Sequence, residues 1–184
     1  DHVGDDPAAV ARNRALLEER LPARPCWLKQ VHGTRVVDAG SARGEEADAS
    51  VALRSGEVCV VMVADCLPVL FCDARGSRVA AAHAGWRGLA GGVLENTIAA
   101  LGSPVADLMA WLGPAIGPEA FEVGAEVRET FLAHSPRAAS AFRAGEGDRC
   151  YADLFTLARL RLEALGLAPA AIHGGGLSTV ADPR

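Results

Sequence analysis

The sequence has few features that would point to a membrane, a nucleic acid or a disulfide framework. Its longest unbroken apolar run, Val58 to Ala64, is far too short to cross a bilayer, and no basic segment followed by an apolar one opens the chain. Lys29 is the only lysine, and the formal net charge of −5 argues against a nucleic-acid-binding surface, which needs clustered basic residues. We therefore expect neither a membrane nor a nucleic acid as a partner of this protein.

The five cysteines are odd in number and form no Cys-x-x-Cys pair, so they indicate neither a disulfide framework nor a compact zinc knuckle. Reduced thiols favour a cytoplasmic protein. Because free cysteine buries like a small hydrophobic residue, most of the five are expected to be neutral packing residues: Cys26, Cys59, Cys72 and Cys150. Cys66 stands in a different context.

A length of 184 residues, half of them hydrophobic and 22% charged, is typical of one globular domain. Periodicity and capping signals predict helices over Asp6–Arg20, from Gly91-Gly92 to Gly102, over Glu119–Ala133 and over Tyr151–Leu165. Strands are predicted over Cys26–Val31, Thr34–Asp38, Glu57–Val63, Val69–Cys72, Arg78–Ala82, Leu108–Leu112 and Ala171–His173. This interleaving predicts the α/β class, as a single-domain three-layer sandwich with a mixed β-sheet core.

Three potential metal ligands lie where predicted strands end in turns. His32 precedes Gly33, Cys66 interrupts a strand, and His83 precedes a glycine-containing turn. An α/β scaffold places functional groups at such ends, and two imidazoles with one thiolate suit zinc while leaving a fourth position open. The long spacings identify no known zinc motif, so the residues alone favour two turn histidines and a buried thiol.

Four sequence motifs favour the zinc site over that interpretation. They occur in order as Lys29-Gln-Val-His-Gly33, Ala64-Asp-Cys-Leu-Pro68, Ala82-His-Ala-Gly-Trp-Arg-Gly88 and Trp111-Leu-Gly-Pro-Ala-Ile-Gly-Pro118. Together they resemble the family first called multicopper polyphenol oxidases, now understood as zinc-dependent purine nucleoside phosphorylases that also deaminate adenosine. The resemblance implies that His32, Cys66 and His83 bind Zn²⁺. It also implies purine nucleosides (adenosine, inosine, methylthioadenosine) and inorganic phosphate as substrates.

The sequence departs from the family pattern in places. Family members carry a further segment before Asp1 and a tail containing Ser, Arg and Arg after Arg184, so residues 1–184 are interpreted as one zinc-binding, nucleoside-processing domain without parts of both family termini. Ser178 stands where a cysteine is common, and Ala115 and Ala120 replace cysteines seen in many relatives. The three zinc positions are intact, so these departures bear on substrate contacts.

The segment after His83 has the composition of an anion-binding loop. Glycines such as Gly85 let the backbone approach a ligand closely, and the N-terminus of the following helix favours negative charge. Arg87 adds a planar fork that suits phosphate. We expect Gly85 and Arg87 to bind phosphate; the alternative is a tight turn in which Arg87 pairs with a carboxylate.

Two polar residues adjoin the predicted ligands. Asp65 precedes Cys66 and is expected to be catalytic, either carrying a proton or orienting a ligand, although a capping role within the strand interruption fits as well. Gln30 either binds substrate through its amide or lies on the exposed side of a strand. His134 and His173 are interpreted as solvated and structural.

Two other activities use the same residues. A metal-free hydrolase would use Cys66 as nucleophile and His83 as base, and here a chelator would have no effect. A copper phenol oxidase is the second, but a multicopper laccase needs more than five histidines, and a lone His₂Cys copper site would need an axial methionine from Met62 or Met109. Metal content discriminates among the three.

Overall fold

The computed structural model describes residues 4–181, so the ends of the predicted domain, residues 1–3 and 182–184, lie outside the described residues. The helices are α1 Pro7–Glu18, α2 Trp86–Gly91, α3 Val93–Leu101, α4 Ala125–His134 and α5 Leu154–Ala164. The strands are β1 Val36–Asp38, β2 Ala49–Ala52, β3 Leu67–Asp73, β4 Val79–Ala84, β5 Leu108–Leu112, β6 Glu122–Val123, β7 Phe142–Ala144, β8 Cys150–Ala152 and β9 Ile172–Gly174.

Six strands form one mixed sheet in the order β1-β2-β4-β3-β5-β9. The two outer pairs, β1 with β2 and β5 with β9, are parallel, and the inner pairs are antiparallel. β6, β8 and β7 form a second, antiparallel sheet. The predicted single-domain α/β fold with a mixed central sheet is therefore confirmed.

The core lies between the central sheet and the helices that pack on it. Leu67, Val69 and Phe71 alternate along β3 and are buried, as the two-residue period of a strand requires. α3 packs against β4 and β2 through its buried residues, among them Leu94 and Ile98. The alanines of β2 and β4 leave room for α3 to approach the sheet closely.

Two predicted strands are wrong. Neither Cys26–Val31 nor Glu57–Val63 forms a ladder; isolated bridges join Cys26 to Cys59 and Lys29 to Glu46. Here the Gln30 side chain makes the backbone hydrogen bonds that a neighbouring strand would otherwise make. Its amide donates to the Met62 carbonyl at 2.7 Å and accepts from the Met62 N–H at 2.7 Å.

Other boundaries differ because short strands occupy residues that were predicted as helix. Residues 122–123 of β6 pair with residues 150–151 of β8, so α4 begins at Ala125 and α5 at Leu154. β2 was missed, since two of its four residues are alanine, which has low strand propensity. α2 was missed as well. The helix from Gly92 to Gly102 and the strand Leu108–Leu112 are confirmed.

Within residues 4–181, none of the helices combines the length and the apolar character that crossing a membrane requires.

The N-cap of α5 generates a test of the fold. The Asp153 carboxylate accepts hydrogen bonds from Phe155 N, Thr156 N and Thr156 Oγ1 at 2.9, 3.1 and 2.6 Å. Because α5 is anchored in the core, Asp153→Ala should lower the free energy of unfolding by about 1 kcal/mol, measured by urea denaturation. Asp6→Ala is the matched control, since Asp6 caps α1, which has no buried residue. Equal losses in the two variants would contradict this interpretation.

Candidate metal centre

The three predicted ligands come together in the fold. One ligand atom each from His32, Cys66 and His83 lies within 4.8 Å of the others, so one metal ion can bridge them. His83 is buried, Cys66 is half-buried and His32 is exposed, and the two imidazole rings meet edge to face with centroids 4.7 Å apart. The group therefore opens to solvent on its His32 side.

The sheet positions His83 and the start of β3 positions Cys66. His83 is the penultimate residue of β4 and pairs with Pro68, so Cys66 lies only one residue before β3 at the same end of that strand pair. His83 Nδ1 is 2.8 Å from Asp48 Oδ1, and the backbone N–H of His83 donates to the Asp48 carbonyl at 2.7 Å. This double attachment fixes both the backbone and the ring.

His32 reaches the group from a loop in an unusual conformation. Its φ of 60° lies in the left-handed region, and it is the only non-glycine residue among residues 4–181 with a positive φ. Such a conformation costs a non-glycine residue about 1–3 kcal/mol and persists where surrounding contacts impose it. Here the backbone N–H groups of Val31, His32 and Gly33 all donate to Asp48, at 3.2, 2.9 and 2.7 Å.

Asp48 was not among the predicted site residues, although its hydrogen bonds position both His32 and His83. Its side chain is fully buried, accepts three hydrogen bonds from backbone N–H groups and shares a fourth with His83 Nδ1. One signal was available in the sequence: an acid within the small-residue stretch Ala47-Asp48-Ala49. A charged residue inside a buried stretch must have partners, because an unpaired buried charge is very costly.

The environment of Cys66 favours a thiol until a cation is present. Burial raises the pKa of the Cys66 thiol above its ordinary value, and the negative charges of Asp65 and Asp48 raise it further. A divalent cation reverses that preference, because it is a larger local charge and takes the thiolate as a ligand. The donor set therefore fits a metal ion: two imidazoles, one thiol and a buried carboxylate that orients His83.

Two glycines leave room for the cluster. A Cβ on Gly85 would lie 2.8 Å from Cys66 Sγ and 2.9 Å from His32 Cδ2, and one on Gly88 would lie 2.8 Å from the Gly33 carbonyl oxygen. Glycine at these positions is required by the close approach of α2 to the ligand loops.

The predicted substrate residues surround this group to different degrees. Arg87 is exposed in the first turn of α2, with its guanidinium 4.6 Å from the Trp86 ring centroid. Asp65 is exposed, and its carboxylate accepts a hydrogen bond from Thr179 Oγ1 at 2.8 Å. The Gln30 amide uses its oxygen and its nitrogen on the Met62 backbone, as described above.

Among residues 4–181, the other cysteines and histidines are not part of the cluster. Cys26, Cys59, Cys72 and Cys150 are free and buried or half-buried. Burial raises the pKa of the Cys59 thiol to about 11, so this thiol is neutral at neutral pH. His134 ends α4, and His173 lies in β9 opposite Trp111. Ala115 and Ser178, two of the positions that depart from the family pattern, are bridged to each other.

Known proteins with similar sequences carry a consistent name. A purine nucleoside phosphorylase of Pseudomonas aeruginosa is 57% identical over 98% of this chain and 74% of its own length. Purine nucleoside phosphorylase YfiH of Escherichia coli is 49% identical over 98% of this chain and 75% of its own length.

Solved structures agree with the fold. The crystal structure of Neisseria meningitidis protein NMB0706 superposes with a TM-score of 0.93 at 51% identity, covering 98% of this chain and 75% of that one. YlmD from Geobacillus stearothermophilus gives a TM-score of 0.85 at 28% identity, covering 97% of this chain and 73% of that one.

The family model described as multi-copper polyphenol oxidoreductase laccase matches residues 1–184. With this match and the relatives above, the chain belongs to that family.

Proposed function

We propose that this chain is a zinc-dependent purine nucleoside phosphorylase that also deaminates adenosine, with adenosine, inosine and methylthioadenosine as substrates. The observation that carries the proposal is the His32–Cys66–His83 group, oriented by a buried carboxylate and open to solvent on one side. The names of relatives at 49% and 57% identity support the nucleoside and the phosphate. We place the activity in the cytoplasm.

Zinc suits this donor set better than the alternatives. A mixed imidazole and thiolate set with three protein ligands is typical of catalytic zinc, which keeps a fourth position open. When bound, zinc would supply Lewis acidity at that position. The remaining chemistry belongs to the side chains and backbone around it.

Phosphorolysis requires a phosphate ion that is bound and oriented beside the nucleoside. A phosphate oxygen forms a bond to the ribose anomeric carbon, the bond from that carbon to the purine nitrogen breaks, and the purine leaves with the bonding electrons and takes up a proton. Arg87 is suited to hold the phosphate, because its stacking on Trp86 orients the planar fork while leaving it exposed. Gly85 gives α2 no side-chain cap, so the first-turn N–H groups can also donate to the anion.

Proton transfer is assigned to Asp65. Its carboxyl group is exposed, adjoins Cys66 and is oriented by Thr179. The ionised form can take a proton from the attacking water in deamination, and the protonated form can give one to the departing purine. In deamination, water adds to the purine carbon that bears the amino group, and ammonia leaves. The Gln30 amide supports the site by joining residues 30 and 62.

The metal-free hydrolase and the copper phenol oxidase have less support than the zinc enzyme. A cysteine nucleophile needs a thiolate, but burial raises the pKa of the Cys66 thiol and two nearby carboxylates add to that effect. A blue-copper site needs an axial methionine, but the Met62 sulfur accepts a hydrogen bond from Arg14 at 3.7 Å and Met109 lies exposed on β5.

Replacing the thiol ligand tests the metal assignment. Cys66→Ala should release zinc and abolish both nucleoside activities while the circular dichroism spectrum stays unchanged. Cys72→Ala is the matched control, since Cys72 is a half-buried free thiol on β3, and it should keep one zinc per chain and full activity. Metal content and base release are measured on the same preparations. A Cys66→Ala protein that still holds one zinc per chain would remove Cys66 from the ligand set, and an active wild-type protein without zinc would favour the hydrolase.

Replacing Arg87 separates the two reactions. Arg87→Ala removes a charge-assisted hydrogen bond of about 1.5–3 kcal/mol. Phosphorolysis measured as kcat/KM for phosphate should therefore fall by roughly 10- to 150-fold, whereas adenosine deamination should change far less. Arg143→Ala is the control, because Arg143 is likewise exposed and stacks on a ring, that of Tyr151, at 4.5 Å. Equal loss of both activities in Arg87→Ala would remove the phosphate assignment.

Adding one methyl group at Gly85 tests the packing of the cluster. Because the new Cβ would lie 2.8 Å from Cys66 Sγ, Gly85→Ala must displace a ligand and should weaken zinc binding, measured by chelator competition. Gly176→Ala is the control, since a Cβ there meets no atom within 4 Å. Unchanged zinc affinity in Gly85→Ala would show that the cluster does not bind the metal in this geometry.

A further inference from the structure

Asp48 touches both histidines of the metal centre. Its Oδ1 lies 2.9 Å from the backbone nitrogen of His32 and 2.8 Å from His83 Nδ1. Its Oδ2 lies 3.2 Å and 2.7 Å from the backbone nitrogens of Val31 and Gly33. The whole residue is 0% exposed, so these protein donors solvate the carboxylate in place of water.

We propose that Asp48 is the positioning residue of this centre: its carboxylate sets the tautomer of His83 and holds residues 31–33 in the conformation that carries His32 to the ion. The proposal rests on the metal site of the proposed function, and it is independent of which nucleoside reaction follows.

The tautomer follows from counting donors and acceptors. An ionised carboxylate offers about four lone-pair positions, and three of them here accept from the backbone N–H groups of residues 31–33. The remaining position on Oδ1 faces His83 Nδ1 at 2.8 Å, and an ionised Asp48 can only accept there, so the proposal places the shared hydrogen on Nδ1. His83 Nε2 is then the nitrogen whose lone pair can coordinate a metal.

Asp48 also holds the loop of His32, whichever tautomer His83 adopts. Three consecutive backbone N–H groups converging on one anion form a nest, a conformation that alternates right-handed and left-handed residues. His32, with a φ of 60°, occupies the left-handed position. Without the anion, the three N–H groups would be left facing one another, and the strained backbone of His32 would relax away from Cys66 and His83.

The isosteric substitution Asp48→Asn disturbs one ligand or the other, whichever way the amide turns. With the NH₂ group at the Oδ1 position, it meets the His32 N–H and forces His83 to accept at Nδ1, which moves the ring hydrogen to Nε2. With the NH₂ group at the Oδ2 position, it meets the N–H groups of Val31 and Gly33 and opens the nest.

The first experiment measures metal affinity rather than turnover. Co²⁺ alone is titrated into metal-free protein and followed by its visible ligand-field bands and its thiolate charge-transfer band, with chelator competition for Zn²⁺. Asp48→Asn should weaken binding of both ions by roughly 10- to 100-fold, the usual effect of removing such an orienting partner. Its ligand-field bands should also shift.

The matched control is Asp73→Asn. Asp73 is 6% exposed, and its carboxylate accepts hydrogen bonds from Ser77 N, Ser77 Oγ and Arg78 N at 2.7, 2.6 and 3.3 Å at the far end of β3. It should lose stability without losing metal affinity or changing the cobalt spectrum. Equal affinity and identical spectra for Asp48→Asn and the wild-type protein would overturn the proposal.

The second experiment makes its measurement on the wild-type protein and uses a variant only to assign the His83 signals. Long-range ¹H–¹⁵N spectra of histidine-labelled wild-type protein at pH 8, assigned with His83→Gln, report which ring nitrogen carries the hydrogen. The proposal requires it on Nδ1 in the metal-free and the zinc-loaded protein, and a hydrogen on Nε2 would overturn it. If the wild-type protein binds no metal, the proposed function fails, and the tautomer of the metal-free protein still decides the role of Asp48.

Discussion

A single buried carboxylate organises this site. Asp48 precedes β2, which lies between β1 and β4 in the central sheet, so its position is fixed by the sheet before any metal binds. From this position Asp48 binds the loop of His32 through three backbone hydrogen bonds and the ring of His83 through a fourth hydrogen bond. Two ligands separated by 50 residues of chain are brought into one geometry because they share one acceptor.

The third ligand arrives by a different route, through the pairing of two strands. Cys66 stands immediately before β3, and the register of β3 with β4 places Pro68 opposite His83. Glycines at the start of α2 then allow the helix to approach the ligands without a clash. Three kinds of constraint therefore set the centre: a buried acceptor, a strand register and bare backbone.

The sequence predicted the parts of the fold whose signals are local. Asp6-Pro7 marks α1, Gly102 ends α3, and the alternation of Leu108–Leu112 is that of a strand with one buried face. The predictions from sequence were wrong where a contact with a distant part of the chain determines whether a segment forms a strand. Glu57–Val63 has strong β propensity, yet the Gln30 side chain satisfies the Met62 backbone. β2 has weak propensity and is nonetheless a fully buried strand between two partners.

The three candidate ligands were identified through motifs rather than spacing, and the fold brings them together. Asp48 was missed because an acid with four protein hydrogen-bond partners leaves no periodic or motif signal; only its place within a run of small residues indicates burial.

We propose that this cluster is a zinc centre for phosphate-dependent cleavage of purine nucleosides. The most direct measurement combines elemental analysis of the wild-type protein, purified without added metal, with base release from inosine in the presence and absence of phosphate. We expect close to one zinc per chain and phosphate-dependent release of the base that a chelator abolishes and zinc restores. Release that persists fully after chelation, or a protein that holds copper instead of zinc, would contradict it.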